Sequence, residues 1–305
     1  MTSARRIKVI VNPAAAGNAA GKKWPLIQRQ LTEAGLDFDY ELTLHAGHAI
    51  VLAREAVAQG YGLVIGIGGD GTVNEVANGL IDEEGIPRAT LGMISTGTGS
   101  DFARCLNFPK DIGQACCRLA NPNEVLVDIG VAEYYDKGKR KRRFFVNAAG
   151  LGFDAAVVKN VSKRFRNLGG TATYLAGLFY SLLTYHNKDI ILSLDGEEYK
   201  RRIVSVVVCN GSHFGGGMKI APNADMKDGI FDVVVIGDIG KGELVRELPR
   251  IYRGTHVDHP KVYVYQAKHI ILSSSEDIAL EADGELLGEA PVDIRIIPSA
   301  LPVAL

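Results

Sequence analysis

The stretch VIGIGGDGTVNEVANGL, Val64 to Leu80, joins an apolar run to a helix-like pattern through a cluster of glycines that holds one aspartate. The run GLVIGI reads as a buried strand. After it, Val73, Val76, Ala77, Leu80 and Ile81 fall at i, i+3, i+4, i+7 and i+8, one apolar helix face. Thr72 is the expected N-cap, and Glu75 three residues on completes a capping box. A strand that turns through bare glycine into a helix offers free backbone N–H groups and the positive end of a helix dipole, and both favour phosphate. Gly66, Gly68 and Gly71 also satisfy GxGxxG. The dinucleotide fingerprint, however, wants an acidic residue about 20 positions on, and the next strand, ATLGMIST, has none. Asp70 opposes a simple anion cradle. It fits a hydrated Mg²⁺ bridging to phosphate oxygens, or a proton acceptor; it also fits a tight turn in which Asp70 bonds its own backbone.

Working outward, the first 125 or so residues alternate strand and helix. RIKVIVNP, DFDYELTL, GLVIGIGG and ATLGMIST are strands; WPLIQRQLTEAG, HAIVLAREAVAQG and TVNEVANGLID are helices. That order implies a parallel sheet with ligands at the carboxyl ends of its strands. Two more loops suit that edge. VNPAAAGNAAGKK places Gly17, Gly21 and Lys22 almost as in a Walker loop, one position short and with Lys23 for Ser/Thr, so it fails as a P-loop and stands as a small-residue turn. STGTGSD repeats the glycine-plus-aspartate pattern after the fourth strand, with Asp101 opening a short helix. Beyond Val125, short strands and turns dominate and read as an antiparallel sandwich with one helical insertion, about Ala155 to Tyr185. The fold class is therefore α/β plus all-β. An N-terminal parallel-sheet nucleotide-binding domain covers 1–127, a C-terminal antiparallel β-sandwich domain covers 128–292, and the tail 293–305 is compatible with either.

Composition bounds the partners. The 305 residues carry a net charge of −1, with 47% apolar and 23% charged residues, so bulk electrostatics gives no polyanion binder. Cys105, Cys116, Cys117 and Cys209 have no CxxC spacing, which argues for reduced thiols and against zinc. No apolar stretch reaches 18 residues, and the N-terminus has no signal-peptide pattern; the sequence reads as cytoplasmic.

GGDGTVNEVANGL together with GTGSDFAR resembles the diacylglycerol kinase catalytic family, specifically its soluble bacterial lipid kinases. NPAAAG resembles the family's first nucleotide loop, FGGGMKIAPNADMKDGIFDVVVI (Phe214 to Ile236) its second-domain signature, and LEADGELLG (Leu280 to Gly288) its C-terminal catalytic segment. GGDGT alone is shared with NAD kinases; VNEVANGL is more specific. The resemblance implies an NAD kinase/diacylglycerol kinase-like fold with ATP between two domains. It implies nucleotide contacts from Asn12, Pro13, Ala14, Ala15 and Ala16, from Thr43, from Gly69, Asp70, Gly71, Thr72, Val73, Asn74 and Glu75, and from Thr98. It further implies a carboxylate–water–Mg²⁺ network of Asp70, Asp101 and Asp128, and a separate structural Mg²⁺ near Asp225, Asp228 and the Ile230 carbonyl. Ser100 stands where these kinases often carry asparagine.

Phosphoryl transfer needs alignment, charge neutralisation and a base, which should be a carboxylate. Two Asp-Gly-Glu triplets, Asp195–Glu197 and Asp283–Glu285, sit between strand-like runs, and Asp-Gly is a hairpin signal; the residues alone make both ordinary turns. The family match selects the second, with Glu285 as base and Asp283 supporting or replacing it. DKGKRKRR, Asp136 to Arg143, reads either as a solvated mobile loop crowning a hairpin or as an attraction to an anionic bilayer, worth about 1 kcal/mol per cation near the surface. Without aromatic interleaving it does not read as a nucleic-acid site. Leu175, Leu178, Phe179, Leu182 and Leu183 share a helix face that either packs in the core or covers an acyl pocket. The leading function is an ATP- and Mg²⁺-dependent lipid kinase that acts on a lipid hydroxyl at a membrane surface, with transient peripheral contact and room for a homodimer. The alternatives are a kinase of a soluble acceptor such as NAD, and a dinucleotide-binding oxidoreductase or regulator.

Overall fold

The structure, a computed structural model, describes residues 5–97, 99–164 and 170–305, with backbone alone at 162–164 and 170–175. The chain divides into two compact units: Met1–Asp128 with Pro298–Leu305, and Ile129–Ile297.

In the first unit β1 (Ile7–Val11), β2 (Phe38–Leu42), β3 (Leu63–Gly68) and β4 (Thr90–Ser95) pair in parallel in the order β4-β3-β1-β2. The crossovers that parallel pairing demands are α1 (Ala15–Glu33), α2 (His48–Ala58) and α3 (Asp70–Leu80); α4 (Asp101–Cys105) and α5 (Ile112–Ala120) follow β4. Every residue of β3 is buried, as a sheet covered on both faces requires. On α3, Val73, Val76, Ala77 and Leu80 are buried, each of the larger three contributing about 1.5–3 kcal/mol. Asn74, Asn78 and Gly79 are buried too. Their face meets α2 so closely that a Cβ on Gly79 would stand 2.6 Å from the Ile50 carbonyl oxygen, and the Asn78 side-chain amide donates to the Asn74 carbonyl at 2.9 Å. The last residues of the chain return here: Asn123 and Leu305 exchange backbone hydrogen bonds of 2.9 and 3.0 Å, and Val303 pairs in parallel with Leu91.

The chain leaves this unit along β5 (Glu124–Asp136). The second unit holds β6 (Lys139–Phe145), β7 (Ala148–Gly152), α6 (Phe153–Arg164), α7 (Gly170–Thr184), β8 (Lys188–Leu194), β9 (Glu197–Cys209), β10 (Phe231–Gly237), α8 (Lys241–Arg253), β11 (Val262–Ala267), β12 (His269–Ser273), β13 (Ala279–Ala282) and most of β14 (Glu285–Ala304). The pairings are antiparallel and close on themselves: β9 pairs β7, β7 pairs β13, β13 pairs β14, β14 pairs β12, β12 pairs β8, and β8 returns to β9. The antiparallel sheet expected here closes into a ring, made possible because the long β9 joins β8 by its first half and β7 and β10 by its second. Leu151, Val206, Val208, Ile270, Leu272, Leu280 and Ile294 lie inside. A second cluster on the far side of β9 and β10 takes Leu244 and Ile251 from α8. This helix adds to the single helical insertion expected in this half. Gly242 and Pro249 blur its pattern, yet Leu244, Glu247 and Ile251 form one buried face.

The basic run is not a loop. Lys139–Phe145 is β6 itself, joined to β5 by the two-residue turn Lys137–Gly138, both at positive φ, the twist-matched hairpin geometry. Neighbours offset much of its charge: Arg140 pairs with Glu133, and Lys141 with Asp136 at 2.5 Å. On α7, Leu182 packs against the second cluster, while Phe179 and Leu183 are exposed. Core packing therefore does not account for the whole stripe; the Leu175 side chain lies outside the described residues. No helix among the described residues is long and apolar enough to cross a membrane.

Candidate active site

Three loops at the carboxyl ends of β1, β3 and β4 gather the glycines of the first unit. After β1, Ala16, Gly17 and Asn18 all have positive φ, at 52°, 65° and 70°, and interrupt α1. A left-handed alanine costs about 1–2 kcal/mol, and such strain concentrates at functional backbone. Asn12 ties this loop to the next: its Oδ1 accepts from Ala14 N at 3.2 Å and its Nδ2 donates to Thr72 Oγ1 at 3.0 Å.

After β3, Gly69 is the extended N-cap of α3, and no side chain caps the helix. The capping box is therefore absent. Thr72 lies in the first turn, and Glu75 reaches across to α2, where its carboxylate accepts from Gly47 N at 2.8 Å and Ala49 N at 3.1 Å. The glycine in α2's approach and the alanine in its first turn bring no capping side chain of their own, so α2 takes its cap from α3. Gly69 in turn faces Gly97 in the loop after β4: a Cβ on Gly97 would stand 3.0 Å from Gly69 Cα. A side chain at Gly97 would crowd the Gly69 backbone, whereas a Cβ on Gly69 would stay 3.9 Å from Gly97 Cα.

That last loop is closed by Ser100, at φ 54°. Its hydroxyl donates to Gly97 O at 3.2 Å and meets Ser95 Oγ at 2.5 Å. Ser100 thus fills the position with its own closing bond. Asp70 reaches the next loop: its Oδ1 accepts from Phe102 N at 3.2 Å, in the first turn of α4. Asp101, next to Phe102, is buried and pairs with Arg104 at 2.5 Å. Asp128, fully buried, accepts from Ser299 N at 2.6 Å. Thr43 is buried, with its N–H on Val11 O at 2.8 Å. Thr98 lies outside the described residues. Among the described residues, no group of three or more His, Cys, Asp or Glu side chains is assembled to hold a metal ion.

In the second unit both Asp-Gly-Glu triplets are two-residue hairpin turns with positive φ at Asp and Gly: Asp195 and Gly196 between β8 and β9, Asp283 and Gly284 between β13 and β14. Both aspartates staple backbone. Asp195 accepts from Lys268 N at 3.1 Å and His269 N at 2.8 Å. Asp283 accepts from Val146 N at 2.8 Å and from Asn147 N and Ala148 N at 3.0 Å each. The glutamates differ. Glu197 accepts from the Tyr199 hydroxyl at 2.8 Å; Glu285, about a third exposed, accepts from Arg143 at 2.7 Å. Arg143 escaped the sequence reading because it was counted within a basic run; its register opposite Ala132 sets it apart. In the Asp225–Ile230 loop, Asp225 Oδ1 accepts from Lys227 N at 3.2 Å and Asp228 Oδ1 from Ile230 N at 3.1 Å.

Comparison with known proteins meets this geometry from outside. Residues 6–132 match the diacylglycerol kinase catalytic domain, and residues 147–305 match the YegS C-terminal NAD kinase beta sandwich-like domain. A diacylglycerol kinase of Bacillus subtilis (strain 168) is 31% identical over 289 residues, 94% of this chain and 92% of the relative. This chain belongs to the diacylglycerol kinase family. The diacylglycerol kinase of Staphylococcus carnosus (strain TM300) is 29% identical over 95% of this chain and 91% of its own. A solved diacylglycerol kinase structure from Bacillus anthracis str. Sterne superposes with a TM-score of 0.75 at 25% identity, covering 99% of this chain and 97% of the other. As a member of the diacylglycerol kinase family the protein is an ATP-dependent lipid kinase. Its two matched segments cover the loop cluster of the first unit and the Asp283–Glu285 turn of the second.

Proposed function

We propose that this lipid kinase transfers the γ-phosphoryl group of ATP to a hydroxyl of diacylglycerol or a related glycerolipid. The observation that carries the reading is the meeting of Gly69 and Gly97 at the uncapped N-terminus of α3. That edge has backbone amides, a helix dipole and no capping side chain in the way of a triphosphate, and Asp70 beside it calls for a cation between carboxylate and phosphate. Asn12, the strained Ala16 segment, Thr43 and the first turn of α3 bind the nucleotide; Glu75 supports them from behind by fixing α2 to α3.

Asp70, Asp101 and Asp128 supply only hard oxygen donors, which fits a Mg²⁺ held largely through water. Asp225, Asp228 and the Ile230 carbonyl fit a second, structural Mg²⁺ on the same grounds. When bound at the first set, Mg²⁺ neutralises phosphate charge. Chelation is expected to lower the melting temperature of the wild type through the second set and to leave Asp228→Ala unmoved; equal shifts in both would remove Asp228 from the ligand set.

Glu285 is the base. It removes the proton of the acceptor hydroxyl as the phosphoryl group is taken up, and Arg143 holds its carboxylate in one orientation. Asp283 is committed to three backbone amides, so its part is to fix the turn. The exposed Phe179 and Leu183 and the basic strand β6 give the kinase apolar and cationic groups with which to visit a bilayer.

Labelled ATP offered with diacylglycerol, phosphatidylglycerol, a sphingoid base and a polyprenol in mixed micelles, with and without Mg²⁺, tests the reading. Mg²⁺-dependent label on a glycerolipid is the expected result. Label on NAD without any lipid would replace it with the soluble-acceptor kinase.

A further inference from the structure

Behind the Asp283–Gly284 turn lies a polar cluster that the phosphoryl-transfer chemistry does not use. Glu281, on β13, is fully buried in the interior of the second unit. One of its oxygens, Oε2, accepts from Gly284 N at 2.8 Å; the other, Oε1, is buried with no hydrogen-bond partner among the described residues. Asp154, in the first turn of α6, has the same divided arrangement. Its Oδ1 takes the Ser205 hydroxyl, and its Oδ2 is buried with no side-chain partner among the described residues.

The two unpartnered oxygens converge. A Cβ on Gly150 of β7 would overlap Asp154 Oδ2 and stand 2.7 Å from Glu281 Oε1. The bare strand therefore leaves space that both carboxyls enter, one from α6 and one from β13. Two buried carboxylates brought to one point cannot both ionise without a large cost, and a single proton between them satisfies both orphaned oxygens.

We propose that Asp154 and Glu281 share one proton in a buried acid–carboxylate hydrogen bond, and that Glu281 so held is a positioning residue that fixes Gly284 and, through the turn, the carboxylate of Glu285. The catalytic half of this statement rests on Glu285 as the base. The carboxyl of one residue donates its O–H to the carboxylate oxygen of the other, so the pair carries one negative charge and no orphaned acceptor.

The electrostatics agree. Burial pushes the Asp154 carboxyl up to about 6. Burial and, next, the Asp154 charge push Glu281 well above the usual carboxylate range, with Asp283 adding to the effect. Tyr185, whose hydroxyl is a third buried orphan and would stand 3.0 Å from a Cβ on Gly152 of the same strand, is pushed up by burial and then by Asp154 and Glu276, so it stays a neutral phenol. Among the described residues, Ser205 from β9, Asp283 from the β13–β14 hairpin and Tyr185 after α7 are the groups that act on the pair, with Glu276 acting on Tyr185. A carboxyl whose folded-state pKa is raised favours the fold at low pH, and that contribution is lost as pH rises from the ordinary carboxylate range through about 6.

The test compares wild type with Glu281→Gln, Asp154→Asn and Glu281→Leu in the intact kinase. An infrared C=O stretch of a protonated carboxylic acid should persist in wild type near neutral pH and vanish in Glu281→Gln. Between the ordinary carboxylate range and pH of about 6, the wild-type melting temperature should fall with rising pH, and the amide variants should flatten that slope. Glu281→Gln, which keeps an acceptor for Gly284 and a donor for Asp154, should hold kcat within about threefold of wild type, while Glu281→Leu should lower kcat about a hundredfold with KM for ATP unchanged. Absence of the infrared band, or a Glu281→Gln loss as large as that of Glu281→Leu, would overturn the proposal. The infrared and melting results are independent of Glu285, so they judge the pair even if Glu285→Gln were to leave phosphotransfer intact and move the base elsewhere.

Discussion

Glu285 and Glu197 follow the same Asp-Gly turn, and only their neighbours separate them. Replacing Glu285 by Gln keeps its size and its contact to Arg143 while removing the proposed base, and should lower kcat by about 10²–10⁴-fold. Glu197→Gln, beside Tyr199, should leave phosphotransfer within about twofold of wild type; steady-state kinetics on one glycerolipid checks both, and equal activities would end the assignment. Asp283→Ala strips the acceptor from three backbone amides and should cost about 3 kcal/mol of stability, read as a lower urea midpoint. The two turns were legible from Asp-Gly alone, because only a narrow set of residues accepts positive φ at both positions. What sets the two glutamates apart was not legible from the residues, since the partner of Glu285 is Arg143, 142 positions away in the chain. Nor was the approach of Asp154 and Glu281 to the space that Gly150 leaves bare.

At the scale of elements, the alternation of apolar runs and helical faces gave the four parallel strands and their crossovers, since burial on both faces leaves an apolar pattern that is hard to mistake. The capping box failed for a tertiary reason: Glu75 is claimed by α2, whose own start, Gly47 to Ala49, offers no side-chain acceptor for Gly47 N and Ala49 N. Glu75→Ala should therefore destabilise the first unit by about 1–2 kcal/mol, lowering the urea midpoint with the slope unchanged; no shift would show that α2 needs no cap from α3. The basic run was misread because charge density alone suggests a solvated loop, whereas alternate cross-strand partners, Glu133 and Asp136, stabilise it as β6. The closure of the second sheet was hidden in β9, whose single 13-residue run serves different partners at its two ends.

For the molecule as a whole, a net charge of −1 means that any hold on an anionic bilayer is local. Lys137→Gln together with Lys139→Gln should weaken binding to anionic vesicles by about 1 kcal/mol per charge at low salt and by less as salt rises, measured by vesicle sedimentation; unchanged binding would take the β5–β6 hairpin out of the contact. The central claim is that bare backbone at α3 exists to admit a triphosphate. Gly71 isolates it, because its φ is not in the left-handed region and a Cβ there would meet nothing within 4 Å, so alanine fits the protein and obstructs only a ligand. Calorimetric titration of ATP with Mg²⁺ into wild type and Gly71→Ala is the direct measurement. The account predicts binding to wild type, weakened by about tenfold or more in a Gly71→Ala variant of undiminished melting temperature; equal affinities, or no nucleotide uptake by wild type, would contradict it.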